Sequence, residues 1–154
     1  MPQIAKGGKY IFGWSSIRPD GITLISPEAM KEYGMSSGEN VILISGSKTS
    51  GGFSICSISA LKKSVISKTL MPDLESFRNE IVAKEIIWHG KRAISQVLIR
   101  DNMISLSPTI LKAYNISRGN CLLSVRGSNL GIGMISRGPI FELAKQHTEI
   151  NTFY

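Results

Sequence analysis

Between residues 45 and 55 the chain reads SGSKTSGGFSI. Gly46, Ser47, Lys48 and Gly52 are residue types from which phosphate-cradling loops are built. Glycines let the main chain turn its amides toward an anion, and a lysine supplies charge. A nucleotide loop of that kind also needs lysine directly after glycine and a helix directly after the loop. Here Lys48 follows Ser47, and the next stretch, GFSIC, has the β-branched and aromatic character of a strand. A Gly-Ser pair with a later glycine is equally what a sharp bend or bulge requires. The stretch reads as a bend, with a second reading in which its amides form a nest for an anion or small ligand.

The other reactive side chains are not spaced for catalysis. His89 and His147 have no second histidine or cysteine at a metal-ligand spacing, so neither a metal nor a cofactor is expected. Cys56 and Cys121 are too few and too far apart for a disulfide scaffold and read as reduced, partly buried thiols. No serine stands in a recognisable order with a base, so no catalytic residue is assigned and a non-enzyme is expected. Tyr33 and Tyr114 read as core residues, and Trp14 and Trp88 as core or interface aromatics.

The frame that must position these residues shows itself when the chain is displaced by 81 positions. Residues 21–56 then lie on 102–137 without a gap, and nine of the 36 pairs are identical, Ser26/Ser107, Pro27/Pro108, Lys31/Lys112 and Tyr33/Tyr114 among them. The identities continue through Gly46/Gly127, Ser47/Ser128 and Gly52/Gly133. The chain therefore reads as a tandem repeat, and its two Gly-Ser stretches as equivalent loops.

Each copy has one local grammar. ITLIS and MISLS are short strands entered through turns at Asp20 and Asp101. Ser26-Pro27 and Ser107-Pro108 start short helices, because serine caps exposed amides and proline has no donor to waste in the first turn. Gly34 and Asn115 stop them in the left-handed conformation. VILIS and LLSVR follow as apolar strands, then the Gly-rich stretches, then the strands GFSIC and GMISR. Helices are expected over 59–70, over LESFRNEI and from Pro139, and a hairpin turning at His89-Gly90-Lys91. The domains are drawn at 1–70, a connecting segment 71–95, and 96–154.

At 154 residues, 42% hydrophobic and 19% charged, the chain has the composition of a folded domain, not of a disordered one. No apolar run reaches the ~20 residues of a membrane span, and the N-terminus lacks a secretory core, so a cytoplasmic, membrane-free protein is expected. The net charge of +7 favours anionic partners. It is uneven: residues 102–137 carry Lys112, Arg118, Arg126 and Arg137 with no acid, whereas 21–56 set Lys31 and Lys48 against Glu28, Glu32 and Glu39.

The grammar resembles the AbrB-like swapped-hairpin family of transition-state and sporulation regulators and related antitoxins. The resemblance rests on Gly21, ITLIS, PEAMKEY, Gly34-Met35, SSGEN and VILIS, and in the second copy on Asn102, MISLS, PTILKAY, Asn115-Ile116, SRGN and LLSVR. The family proline stands one place later here, with Ser26 and Ser107 in its slot. The resemblance implies a mainly β fold with short helices, in which two tandem units exchange hairpins into β-barrel form as a pseudo-dimer, with homo-oligomers expected.

It also implies a transcription regulator that binds duplex DNA through a basic face. Carried over residue by residue, the contacts are Lys31 and Lys112 on the helices, Arg18 and Arg100 in the turns, and Arg118. The family's strand arginines are replaced by Ile22 and Met103. That loss motivates a rival expectation: a module that has given up DNA and binds a small ligand or protein partner through Gly46, Ser47, Gly52, Gly127, Ser128 and Gly133. An antitoxin ranks lower, because GPIFELAKQHTEINTFY is short for a toxin-binding tail.

Overall fold

The computed structural model describes residues 9–63, 74–127 and 131–154. The N-terminal half runs β1 (Ile11–Ser16), β2 (Ile22–Leu24), α1 (Pro27–Glu32), β3 (Asn40–Ser45), β4 (Phe53–Ser57) and α2 (Ile58–Lys62). Then come α3 (Leu74–Lys84), β5 (Ile87–His89), β6 (Arg92–Leu98), β7 (Met103–Ser105) and α4 (Pro108–Ala113). The chain ends with β8 (Cys121–Arg126), β9 (Gly131–Ile135), α5 (Pro139–Ala144) and β10 (Thr152–Phe153). Three elements recur with both bounds displaced by 81 residues: β2 and β7, α1 and α4, β3 and β8.

The local chemistry accounts for these bounds. The Oγ of Ser26 accepts from Ala29 N and that of Ser107 from Ile110 N, each followed by proline in the first turn. Gly34 and Asn115 take φ of +65° and +55° beyond the helix ends, as a C-terminal stop requires. β5 and β6 form a hairpin that closes at His89↔Arg92 around Gly90-Lys91, with Gly90 at φ +62°. Of the helix expected over 59–70, α2 forms the start; its remainder from residue 64 lies outside the described residues.

Eight strands form one sheet in the order β10-β1-β8-β9-β4-β3-β6-β5, and β2 pairs with β7 in a separate ribbon. The two halves interleave: β1 pairs with β8, β6 with β3, and β4 with β9 at the centre. Among the described residues the strands do not close into the barrel expected above: β10 and β5 are the two edges of an open sheet. The reason lies in strands such as β3, which are apolar on both faces. Val41 and Leu43 pack on the ribbon side with Ile25, Ile104 and Met30, whereas Ile42 and Ile44 pack on the other with Leu61 and Ile81. Leu123 and Val125 of β8 meet Ala144 and Ile150 on that same second side. A sheet that buries both faces needs a layer over each, and α1, α4 and the ribbon supply one while α2, α3 and α5 supply the other.

The gapless register also breaks. Ile42 faces Cys56, so an unbroken 81-residue displacement would set Leu123 opposite Arg137; it faces Ile135 instead. The second hairpin turn is thus two residues shorter than the first. Gly52 therefore corresponds to Gly131 and not to Gly133, which stands beside Ser54 in the central ladder. The close approach of β4 and β9 supports this. A Cβ on Gly52 would lie 1.9 Å from Met134 O, and one on Gly131 2.1 Å from Ile55 O. The strand expected over GMISR accordingly begins earlier, and Ser136-Arg137 fall outside it.

The tryptophans divide between core and surface, and one thiol expectation is corrected. Trp14 packs edge-on against Phe141 at 5.1 Å, whereas Trp88, on the three-residue edge strand β5, is 58% exposed and lies outside the core. Cys56 is buried as expected, whereas Cys121, at the start of β8, is exposed.

Candidate functional site

The five residues expected to contact DNA lie along the ribbon side. Lys31 and Lys112 are exposed in the last turns of α1 and α4. The turn carrying Arg118 is tied to the other half by Gly119 N–H donating to Ile17 O at 2.7 Å, which sets Arg118 near Arg18. Arg100 sits in the matching turn, where Gly38 N–H donates to Ile99 O. These cations stand among carboxylates. Arg18 is paired with Asp20 at 3.2 Å, and segments 17–39 and 99–120 hold Asp20, Glu28, Glu32, Glu39 and Asp101 against Arg18, Lys31, Arg100, Lys112 and Arg118. By count that is five carboxylates to five cations, of which only Arg18 is ion-paired among the described residues, while Glu32 pairs with Arg126.

The positive charge collects elsewhere. The turn between β3 and β4, the tip of the β5–β6 hairpin, the end of α4 and the segment after β9 enclose a pocket of about 410 Å³. Lys48, Lys91, Arg92 and Arg137 line it, together with Gly51 and Tyr114, and no aspartate or glutamate does. None of the four cations forms an ion pair among the described residues.

The pocket floor is held by named contacts. Tyr114 hydroxyl donates to Leu43 O at 3.0 Å and lies 2.7 Å from Ser95 Oγ, and burial pushes its pKa up. Ser45 Oγ accepts from Ala93 N at 3.0 Å, joining the turn to the basic hairpin. Arg137 donates through Nε and Nη2 to Lys48 O, at 3.1 and 2.9 Å, and packs over Gly51, where any Cβ would be 2.3 Å from Ser136 Oγ. Gly51 also takes a φ of +63°, a left-handed conformation that favours glycine.

Of the six expected loop residues, Gly46, Ser47 and Gly52 line this pocket. Gly133 is inside β9 against Val125, Gly127 belongs to the opposite end of the sheet, and Ser128 lies outside the described residues. Three amides of this turn are already engaged: the N–H groups of Gly46, Ser50 and Gly51 bond Gly52 O, Ser47 Oγ and Ser47 O. The charge comes from side chains. Sequence reasoning missed Lys91, Arg92 and Arg137 as site residues, and the basic pair at a hairpin tip was the signal available.

Among the described residues no group of three metal-ligating side chains occurs, and no helix is long and apolar enough to cross a membrane. Compared with protein-family models, with curated proteins and with solved structures, the chain finds no match in any of the three.

Proposed function

We propose that this protein is a non-enzymatic binding module of AbrB-like type, with two tandem swapped-hairpin units in one chain, that takes its ligand at the Gly-Ser turn pocket. One observation carries the reading: Lys48, Lys91, Arg92 and Arg137 surround a pocket without a carboxylate, while the five cations of segments 17–39 and 99–120 are interspersed with five carboxylates. Uncompensated charge in a concave site draws and holds ions of opposite sign far better than charge dispersed among counter-charges. The interleaving of β1 with β8 and β6 with β3 supports the swapped-hairpin scaffold.

A second reading, duplex DNA on the ribbon side, is favoured by the matching exposed positions of Lys31 and Lys112 and the neighbouring Arg18 and Arg118. Backbone amide spectra recorded during titration separate the two. A panel of small metabolites should shift signals from residues 45–52, 91–92, 113–115 and 137. Shifts confined to 17–39 and 99–120, produced by duplex DNA and erased by salt, would establish the second reading in its place.

A further inference from the structure

The two ends of the sheet share α1 and α4 at matching places beside β3 and β8 but differ in charge, and that difference points to what the pocket holds. The 81-residue displacement that relates α1 to α4 and β3 to β8 carries Glu28, Glu32 and Arg126 onto Thr109, Ala113 and Ser45. At the first end, Arg126 lies 4.5 Å over the Tyr10 ring and clasps Glu32, Nε donating at 2.7 Å and Nη2 to the other carboxylate oxygen. Tyr10 hydroxyl donates to Glu28. That end supplies its own carboxylates and satisfies them.

At the pocket end both carboxylates are missing. Thr109 and Ala113 stand in their places, and Lys91 with Arg92, Lys48 and Arg137 converge from three separate stretches. Arg137 spends two of its five N–H donors on Lys48 O, which fixes the guanidinium and leaves three for a ligand. Four cations held together without an anion repel one another, and an arginine fork matches a phosphate or carboxylate in shape as well as sign.

We infer that the pocket is a site for a small oxyanion of two or more negative charges, a phosphate or polycarboxylate group, seated at the end where the protein supplies no carboxylate of its own. This deepens the reading of the preceding subsection and rests on its placement of the ligand. Lys48 and Lys91 neutralise the ligand as point charges, Arg92 and Arg137 orient it, and the glycines keep the turn low enough for the anion to enter. Ala113 is the specificity position, since any acid there would fill the site from within.

Calorimetric titration of the full chain at low salt, with pyrophosphate, citrate and acetate as probes, tests this. One equivalent of pyrophosphate or of citrate should bind, and which of the two binds tells the phosphate source from the carboxylate source. The Ala113→Glu variant should weaken binding by about tenfold or more while melting like the parent, and Lys91→Gln with Arg92→Gln at the exposed hairpin tip should do the same, each lost charge-assisted bond being worth about that factor. Acetate binding as tightly as pyrophosphate, or binding untouched by these variants, would overturn the inference. If neither multivalent anion binds but a neutral metabolite shifts the Gly51 and Gly52 amides, the oxyanion falls and the ligand pocket stands. If only duplex DNA binds, through 17–39 and 99–120, both fall.

Discussion

The guanidinium of Arg137 is anchored on the main-chain oxygen of Lys48 by two hydrogen bonds, at 3.1 and 2.9 Å, across 89 residues of sequence. Ser136 N and Arg137 N also donate to Ser50 O, at 2.9 and 3.0 Å, so the segment after β9 staples the Gly-rich turn after β3. Arg137→Ala removes only the guanidinium arm. It is expected to cost about 1 kcal/mol. Amide exchange should quicken at Ser50 and Gly51 and stay unchanged in β6; uniform quickening would mean the arm is not local.

Thr23 is fully buried opposite Ile104 in the β2–β7 ribbon, and its hydroxyl has no hydrogen-bond partner among the described residues. Residue 104 is also its 81-residue counterpart, and it is apolar. Replacing an unpartnered buried hydroxyl by a methyl removes a desolvation cost of about 1 kcal/mol. Thr23→Val should therefore raise the melting temperature by about 2–4 °C. A lower melting temperature would show that the hydroxyl is satisfied.

Tyr114→Phe has the opposite sign. It strips the bonds to Leu43 O and Ser95 Oγ from a residue that is 4% exposed. Both partners stay buried, so a loss of about 1–2 kcal/mol is expected in denaturant titration. Ser95→Ala added to Tyr114→Phe should then cost less than it does alone.

The two thiols should separate cleanly. Burial pushes the Cys56 thiol up to about 12, so almost no thiolate exists at pH 8, while Cys121 is exposed. A thiol-reactive dye should label one cysteine per folded chain and two after unfolding in guanidinium. Labelling of Cys56 in the folded state would mean that the second layer, built on α2 and α3, opens readily.

The opposite end of the sheet carries an acid-sensitive clasp. Hydrogen bonding from Arg126 holds the Glu32 carboxyl below its ordinary value of 4.5. A carboxyl depressed in the folded state stabilises above 4.5 and loses that contribution as pH falls through the folded value. Because both side chains are substantially exposed, the contribution is a few tenths of a kcal/mol. Glu32→Gln should flatten the acid limb of the stability curve below pH 4.5 and leave pH 7 nearly unchanged.

Much of the scaffold was legible because single residues decide it. Ser26 and Ser107 start helices, Gly34 and Asn115 end them, and Gly90 turns a hairpin, each by a local rule that needs no neighbour. The hairpin register was not legible. Glycine is so frequent between 46–52 and 127–133 that Gly52 and Gly133 coincide in sequence, and only strand pairing shows a turn shortened by two. The open, doubly covered sheet was hidden for a related reason: an apolar run such as VILI suits a barrel wall or a buried sheet equally until the layer on each side is known. The pocket escaped because its charges come from residues 48, 91, 92 and 137, and nothing local joins them.

The interleaving of strands from both halves within one chain has a consequence for how the molecule can vary. An assembly of two identical half-length chains would carry every substitution twice, at both ends of its sheet, and would have two pockets or none. Here one gene encodes the two ends separately. Ser45 and Arg126, or Ala113 and Glu32, can be inherited independently, so one end can stay sealed by its own acid while the other stays open, and the seams that hold them together need not change.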